Sequence, residues 1–220
     1  KKDGKVCFKD LKKKINIQTK VVSLCHVASQ CGNMICAEEV FRFIKKLYPK
    51  VICVLDACQS IGQVNIDVKK IKCDVLVGSG RKYLRGPRGT GFIFINEKIR
   101  NKIKPLILDM KNSEFINGRL KIKNSNIFEN FEFSTSLQLG ISKAIDKINH
   151  IGIRKIENDI NRKSKHLRKR LENFDQISFF ENTNTLTGIN TLKIKGFSSV
   201  QIYKYLLSKR VLCSISTSST

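Results

Sequence analysis

The 220-residue chain has no tryptophan, three prolines, two methionines and three histidines. Acidic residues are also scarce, at 18 Asp and Glu against 42 Lys and Arg, a net charge of +24. Such a low proline content excludes a collagen-like or proline-rich linker character. An apolar content of 41% beside 27% charged residues excludes a wholly disordered chain. Long hydrophobic runs are missing too. The longest, Val51-Ile52-Cys53-Val54-Leu55, is far too short to cross a membrane. The N-terminus lacks the order of basic segment, apolar stretch and small-residue cleavage site that marks a secretory signal. The chain opens on Lys1 rather than Met, as expected of a fragment or a processed product.

The charge admits two readings. Clustered Lys and Arg can neutralise phosphates, so a basic nucleic-acid-binding module is one alternative. Against it, Lys far outnumbers Arg, whereas specific phosphate and base contacts favour the bidentate guanidinium. Lys, Asn and Ile are all abundant and Ala is rare, the signature of A/T-rich coding. The basic residues are also spread along the chain, apart from a lysine-rich opening. A solvated, compositionally biased surface is therefore the expectation, without nucleic acid or membrane as a partner.

None of the eight cysteines forms a C-x-x-C pair, which with so few histidines excludes a zinc ribbon or finger. Several lie in apolar runs, such as Cys53 between Ile52 and Val54, where a free thiol packs as a small hydrophobe. Reduced thiols in the cytoplasm are expected.

Short continuous apolar runs at residues 21–27, 51–55, 74–77 and 91–95 read as buried strands. Between the first two, Val40, Phe41, Ile44 and Leu47 repeat at helical spacing until Pro49. This pattern predicts an α/β fold, a mostly parallel sheet with helices on both faces. Residues 101–130 read as polar and irregular. Helices are expected over 137–148 and 151–171, broken near Gly152. Strands at 177–180 and 189–194, a helix at 199–207 and a strand at 211–215 complete a small α+β unit.

Ligands of open α/β sheets bind beyond the C-terminal strand ends. There the chain places Asp56-Ala57-Cys58-Gln59-Ser60, then Gly78-Ser79-Gly80-Arg81-Lys82, and His26 with Ser29-Gln30. A lysine on a glycine-rich loop among other cations suits Schiff-base chemistry. A carboxylate such as Asp56 could hold a cationic ring nitrogen, as pyridoxal phosphate requires. Ser79 and Arg81 could hold a phosphate. Singly, each has a plainer reading: Asp56 as a turn or cap residue, Lys82 as a solvated cation. Their placement on consecutive parallel strands favours the joint reading.

The stretches Asp56-Ala57-Cys58-Gln59-Ser60-Ile61-Gly62 and Ser79-Gly80-Arg81-Lys82-Tyr83-Leu84-Arg85-Gly86-Pro87-Arg88-Gly89-Thr90-Gly91-Phe92 resemble the class V aminotransferase family. These are fold type I pyridoxal-phosphate enzymes, among them cysteine desulfurases, selenocysteine lyases, kynureninase, isopenicillin epimerase-like proteins and carbon–sulfur lyases. The resemblance runs from about Val21 to the end. It implies a pyridoxal 5'-phosphate cofactor bound to Lys82, which would also shuttle the substrate α-proton. Asp56 would pair with the ring nitrogen, Gln59 with the phenolic oxygen, and Ser79 with the phosphate. Arg81 stands where desulfurases usually carry His, which keeps a phosphate contact and shifts the likeness toward the lyase and epimerase-like branch. Phe131-Glu132-Phe133-Ser134-Thr135-Ser136 resembles a Phe-Glu-x-Gly-Thr-Pro segment whose Thr reaches the phosphate in the partner subunit, a role that falls to Thr135. The position near the ring that is often Asn falls at Ser29 or Gln30.

By the same resemblance, residues 1–135 form part of the cofactor-binding large domain without its beginning. Residues 136–220 form interdomain helices and a truncated small α+β domain. The ring-stacking residue is expected before Lys1 and the substrate-carboxylate Arg after Thr220. The implied protein is a homodimer acting on an amino acid, with a sulfur-containing substrate and carbon–sulfur cleavage favoured. A catalytically degenerate family member is the other alternative. Cys213, expected inside a strand, does not resemble the mobile-loop nucleophile of desulfurases. His26 reads as a packed strand-end residue, His150 and His166 as surface residues, and the basic run from Arg162 to Arg170 as a solvated helix face.

Overall fold

The computed structural model describes residues 6–123, 127–181 and 186–216; the first five residues of the lysine-rich opening lie outside them. A four-stranded sheet is ordered β1 (Val21–Cys25), β2 (Ile52–Asp56), β3 (Val75–Ser79) and β4 (Gly91–Ile95). The first three strands are parallel and β4 closes the edge antiparallel to β3. The mostly parallel sheet expected is present, with one antiparallel edge strand; β1 and β4, expected to be buried, are largely exposed or half-buried because they form the two edges of the sheet.

Helix α1 (Phe8–Lys14) precedes β1, in a stretch where the sequence shows only weak alternation at Ile15 and Ile17. Helix α2 (Ala37–Leu47) joins β1 to β2 and buries Ala37, Val40, Phe41 and Ile44. Its first turn carries Glu38 and Glu39 and its last Lys45 and Lys46, which complements the helix dipole. Its apolar stripe meets Cys53 and Leu55 of β2 in a core that also includes Val51, Ala57 and Leu76. Burying Phe41 and Ile44 fully contributes about 1.5–3 kcal/mol each. The short helix α3 (Val68–Ile71) is capped by Asp67, whose side chain accepts from the Lys69 and Lys70 N–H groups.

After β4 and the single-turn α4 (Glu97–Arg100), the region expected to be irregular contains a hairpin, β5 (Ser113–Ile116) and β6 (Arg119–Ile122). Its turn is Asn117-Gly118, both at positive φ (52° and 72°), the conformation a two-residue hairpin loop demands. Helices α5 (Thr135–Ile151) and α6 (Ile153–Leu171) meet at Gly152, as expected. The pair β7 (Ile177–Phe179) and β8 (Leu192–Ile194) is antiparallel, followed by α7 (Ser199–Ser208) with a Ser198–Gln201 capping box. The strand expected at 211–215 is absent: residues 211–216 have no regular structure and are exposed. An apolar run makes a strand only where a neighbour offers a ladder, and none is present here among the described residues. No helix among the described residues is long and apolar enough to cross a membrane.

Candidate active site

The parallel register sets the chemistry side by side. Cys25 at the end of β1 pairs with Asp56 at the end of β2, and Asp56 with Val77 of β3. The loops that leave these ends all lie on one edge of the sheet. The β3–β4 connection stays there as well, because β4 returns antiparallel from Gly91 opposite Ser79. An open cleft of about 700 Å³ lies between these loops, lined by Ser29, Gln59, Arg81, Lys82, Tyr83 and Arg85.

The Lys82 loop is held by its own backbone. Gly80 N–H donates to the Thr90 carbonyl (2.9 Å), Arg85 N–H to the Lys82 carbonyl (2.9 Å) and Gly86 N–H to the Gly80 carbonyl (2.8 Å). Helix α5 packs on its outer side, with Ile141 against Gly86 and Gly140 against Pro87. The Asp56–Gly62 turn packs on the inner side. At Gly62 (φ +87°), a Cβ would lie 2.5 Å from the Tyr83 carbonyl carbon, so only glycine lets the two loops meet.

Of the residues anticipated from sequence, the structure brings Ser29, Gln59, Arg81 and Lys82 into the cleft lining. Asp56 and Ser79 end the strands from which the cleft loops leave. Asp56 Oδ1 accepts from the Cys58 N–H at 2.9 Å. Burial and then the Asp56 charge push the Cys25 thiol up, while Lys82 pulls it down. Burial and then the hydrogen bond to Asp56 raise the Cys58 thiol, again opposed by Lys82. Both thiols thus feel Asp56 and Lys82 together and remain protonated at neutral pH, which disfavours either as a nucleophile. Thr135 is exposed at the first turn of α5, capped by Ser134, and is not part of the lining.

His26 is buried at 5% exposure, with Nδ1 2.9 Å from the Ser60 hydroxyl. Burial lowers its pKa to about 4, so the ring is neutral. This agrees with a packed strand-end residue. His150 and His166 are exposed. The run from Arg162 to Arg170 is mostly solvated, but Arg168 turns inward to Glu181.

Sequence reasoning missed the roles of Tyr83, Arg85 and Gln63. The first two line the cleft; Gln63 lies behind it, its amide donating to the Gln59 carbonyl. Arg81, Lys82 and Arg85 give the cleft three cations and its lining no carboxylate, an environment for a phosphate or carboxylate ligand.

The class V aminotransferase model, described as "Aminotransferase class-V", matches residues 1–215. A cysteine desulfurase, SufS, of Plasmodium falciparum is 41% identical over 113 residues, covering 48% of this chain and 20% of the relative. A probable cysteine desulfurase of Borreliella burgdorferi is 29% identical over 210 residues, covering 92% of this chain and 49% of the relative. The apo structure of a cysteine desulfurase from Thermococcus onnurineus NA1 superposes with a TM-score of 0.84 at 25% identity, covering 96% of this chain and 53% of that one. The chain thus spans about half the length, or less, of these relatives.

Proposed function

Because the chain belongs to the class V aminotransferase family, we propose that it forms part of a pyridoxal 5'-phosphate-dependent enzyme. Its reaction would break the carbon–sulfur bond of a cysteine-like amino acid. The observation that carries this reading is Lys82 in an open cleft with Gln59, Ser29 and Arg81, beside a strand ending in Asp56. That donor set suits the cofactor: an amine to bind it covalently, a carboxylate for the ring nitrogen, an amide, and a cation. When bound, pyridoxal phosphate supplies a cationic ring that withdraws electrons from the substrate α-carbon.

The chain's own residues do the rest. Lys82 Nζ anchors the cofactor and then takes the α-proton, a task that needs a mobile amine in reach of the cleft centre. Asp56 keeps the ring nitrogen protonated through its charge. Gln59 would donate its amide to the phenolic oxygen, Ser29 would hold the ring, and Ser79 and Arg81 would hold the phosphate. Thr135 serves the phosphate of a second copy. A homodimer is supported by large apolar side chains left exposed around the β5–β6 hairpin and before α5, including Phe115 (77%), Phe131 and Phe133. All eight cysteines are free thiols, which suits a reducing compartment such as the cytoplasm.

Cysteine desulfurase chemistry is favoured over other carbon–sulfur lyase reactions by the relatives. The Arg81-Lys82 loop favours the lyase branch, and both break the same bond. The test uses the full-length protein with pyridoxal 5'-phosphate. A visible absorption band that disappears in Lys82→Ala, and formation of alanine from cysteine with sulfide released when dithiothreitol is supplied to reduce the transferred sulfur, are the expected results. A band that persists in Lys82→Ala overturns the assignment of that lysine. No cofactor binding in the wild type would favour the degenerate reading, which the departures at Arg81, Ser29 and Ser134 support.

A further inference from the structure

The stretch from Leu186 to Thr191 is a strap held on both sides. On one side α6 grips it. The Ser164 hydroxyl donates to the Thr187 carbonyl (2.6 Å), and Leu186 N–H donates to Asn161 Oδ1 (3.2 Å). On the other side Gly188 N–H donates to Gln63 Oε1 (2.8 Å), across 125 positions of sequence.

Gln63 is 1% exposed. Its Nε2 donates to the Gln59 carbonyl at 2.5 Å, and the Tyr83 hydroxyl lies beside its amide against Gly188. The strap lies so close that a Cβ on Gly188 would sit 2.9 Å from the Tyr83 hydroxyl oxygen and 3.2 Å from Gln63 Oε1. Gln59 and Tyr83 both line the cleft, and Tyr83 directly follows Lys82. One buried amide therefore joins the strap to the Gln59 turn and packs beside the ring next to the lysine. Without it, the Gln59 carbonyl and the Gly188 N–H lose the shared partner that ties the strap to the Gln59 turn.

We propose that Gln63 is a positioning residue that fixes the aim of Lys82 and Gln59 into the cleft and makes it depend on the seating of the strap at residues 186–191. The proposal rests on the reading of Lys82 as the cofactor-binding lysine. Gln63 touches neither cofactor nor substrate; it acts through Gln59 and Tyr83. The strap belongs to the part of the chain beyond α6, so a disturbance there would reach the lysine by this route.

The test compares Gln63→Met, which keeps the side-chain length without its hydrogen bonds, with Tyr83→Phe in the full-length protein. In cofactor-free protein, hydrogen exchange at the Gly188 amide is expected to be about tenfold faster in Gln63→Met. With pyridoxal 5'-phosphate, Gln63→Met is expected to weaken cofactor retention about tenfold and to shift the pH midpoint of the visible band, and Tyr83→Phe to shift it less in the same direction. A lowered melting temperature in Gln63→Met with wild-type cofactor retention and midpoint would make Gln63 a packing residue only and overturn the proposal. Should Gln63→Met fail to fold, Tyr83→Phe decides alone, and an unshifted midpoint overturns the coupling. A wild type without any visible band refutes the cofactor reading itself, whereas the exchange result at Gly188 is independent of it.

Discussion

His26 Nδ1 lies 2.9 Å from the Ser60 hydroxyl, and this buried pair ties the end of β1 to the turn that follows Asp56. Ser60 Oγ also lies 3.3 Å from the Ala57 carbonyl, to which it can donate. The His26 N–H also donates to the Asp56 carbonyl at 2.9 Å.

A pH dependence of stability follows. Burial holds the folded-state pKa at about 4, against an ordinary 6.5 in the unfolded chain. Between these values the unfolded chain takes up a proton that the folded chain refuses. The stability that depends on neutral His26 is complete above pH 6.5 and is lost as pH falls toward 4, by up to about 3 kcal/mol. Urea unfolding across that window should show the decline, and His26→Gln should flatten it. An equally steep decline in the variant would assign the loss to other groups.

Gly62 is the second sensitive point. Gly62→Ala would push a methyl group into the backbone of Tyr83 and Leu84 at a positive φ of +87°. A loss of at least about 2 kcal/mol is expected. Because the obstacle is backbone next to Lys82, cofactor binding should weaken together with the unfolding midpoint. A neutral Gly62→Ala would mean that the two loops do not touch in solution.

Two kinds of ion pair on α6 should behave differently. Glu181 is buried, pairs with Arg168 and accepts from the Thr191 N–H at 2.6 Å, while the Arg168 guanidinium covers the Phe179 ring at 4.2 Å. Glu181→Ala removes the carboxylate from a half-buried cation and from the Thr191 N–H, and is expected to cost about 3 kcal/mol in chemical denaturation. Arg162 and Lys163 pair with the exposed Asp159, and replacing either by Ala should leave the midpoint unchanged.

Thiol labelling separates the cysteines by burial. Burial pushes Cys53 up to about 12 and Cys73 to about 11. Both should resist iodoacetamide at pH 8 until the protein is unfolded, whereas the exposed Cys213 should be alkylated in the native protein. Mass spectrometry of the peptides reads the order directly. Early modification of Cys53 would contradict the packing of β2 against α2.

Much of the large sheet was legible because it is local. Continuous apolar runs gave β1 to β4, the spacing of Val40, Phe41 and Ile44 gave α2, and Gly152 marked the break between α5 and α6. The β5–β6 hairpin carried a readable signal in Asn117-Gly118 that was passed over among polar neighbours. At residues 211–216 the apolar pattern was there, but the ladder partner that would make it a strand was not.

By itself, then, the sequence determined the strand identities and put Asp56 and Lys82 at the ends of neighbouring parallel strands, since the period of apolar residues and the turn residues act over a few positions. The antiparallel return of β4, the burial of His26 against Ser60, the inward turn of Arg168 and the hold of Gln63 on Gly188 were decided only in three dimensions. Each depends on partners far apart in the chain, whose meeting is set by how the elements pack and by the cost of leaving a buried polar group unpaired. The same division applies to the charge: +24 is a property of composition, but which cations matter was decided by the fold that turned Arg81, Lys82 and Arg85 into one cleft.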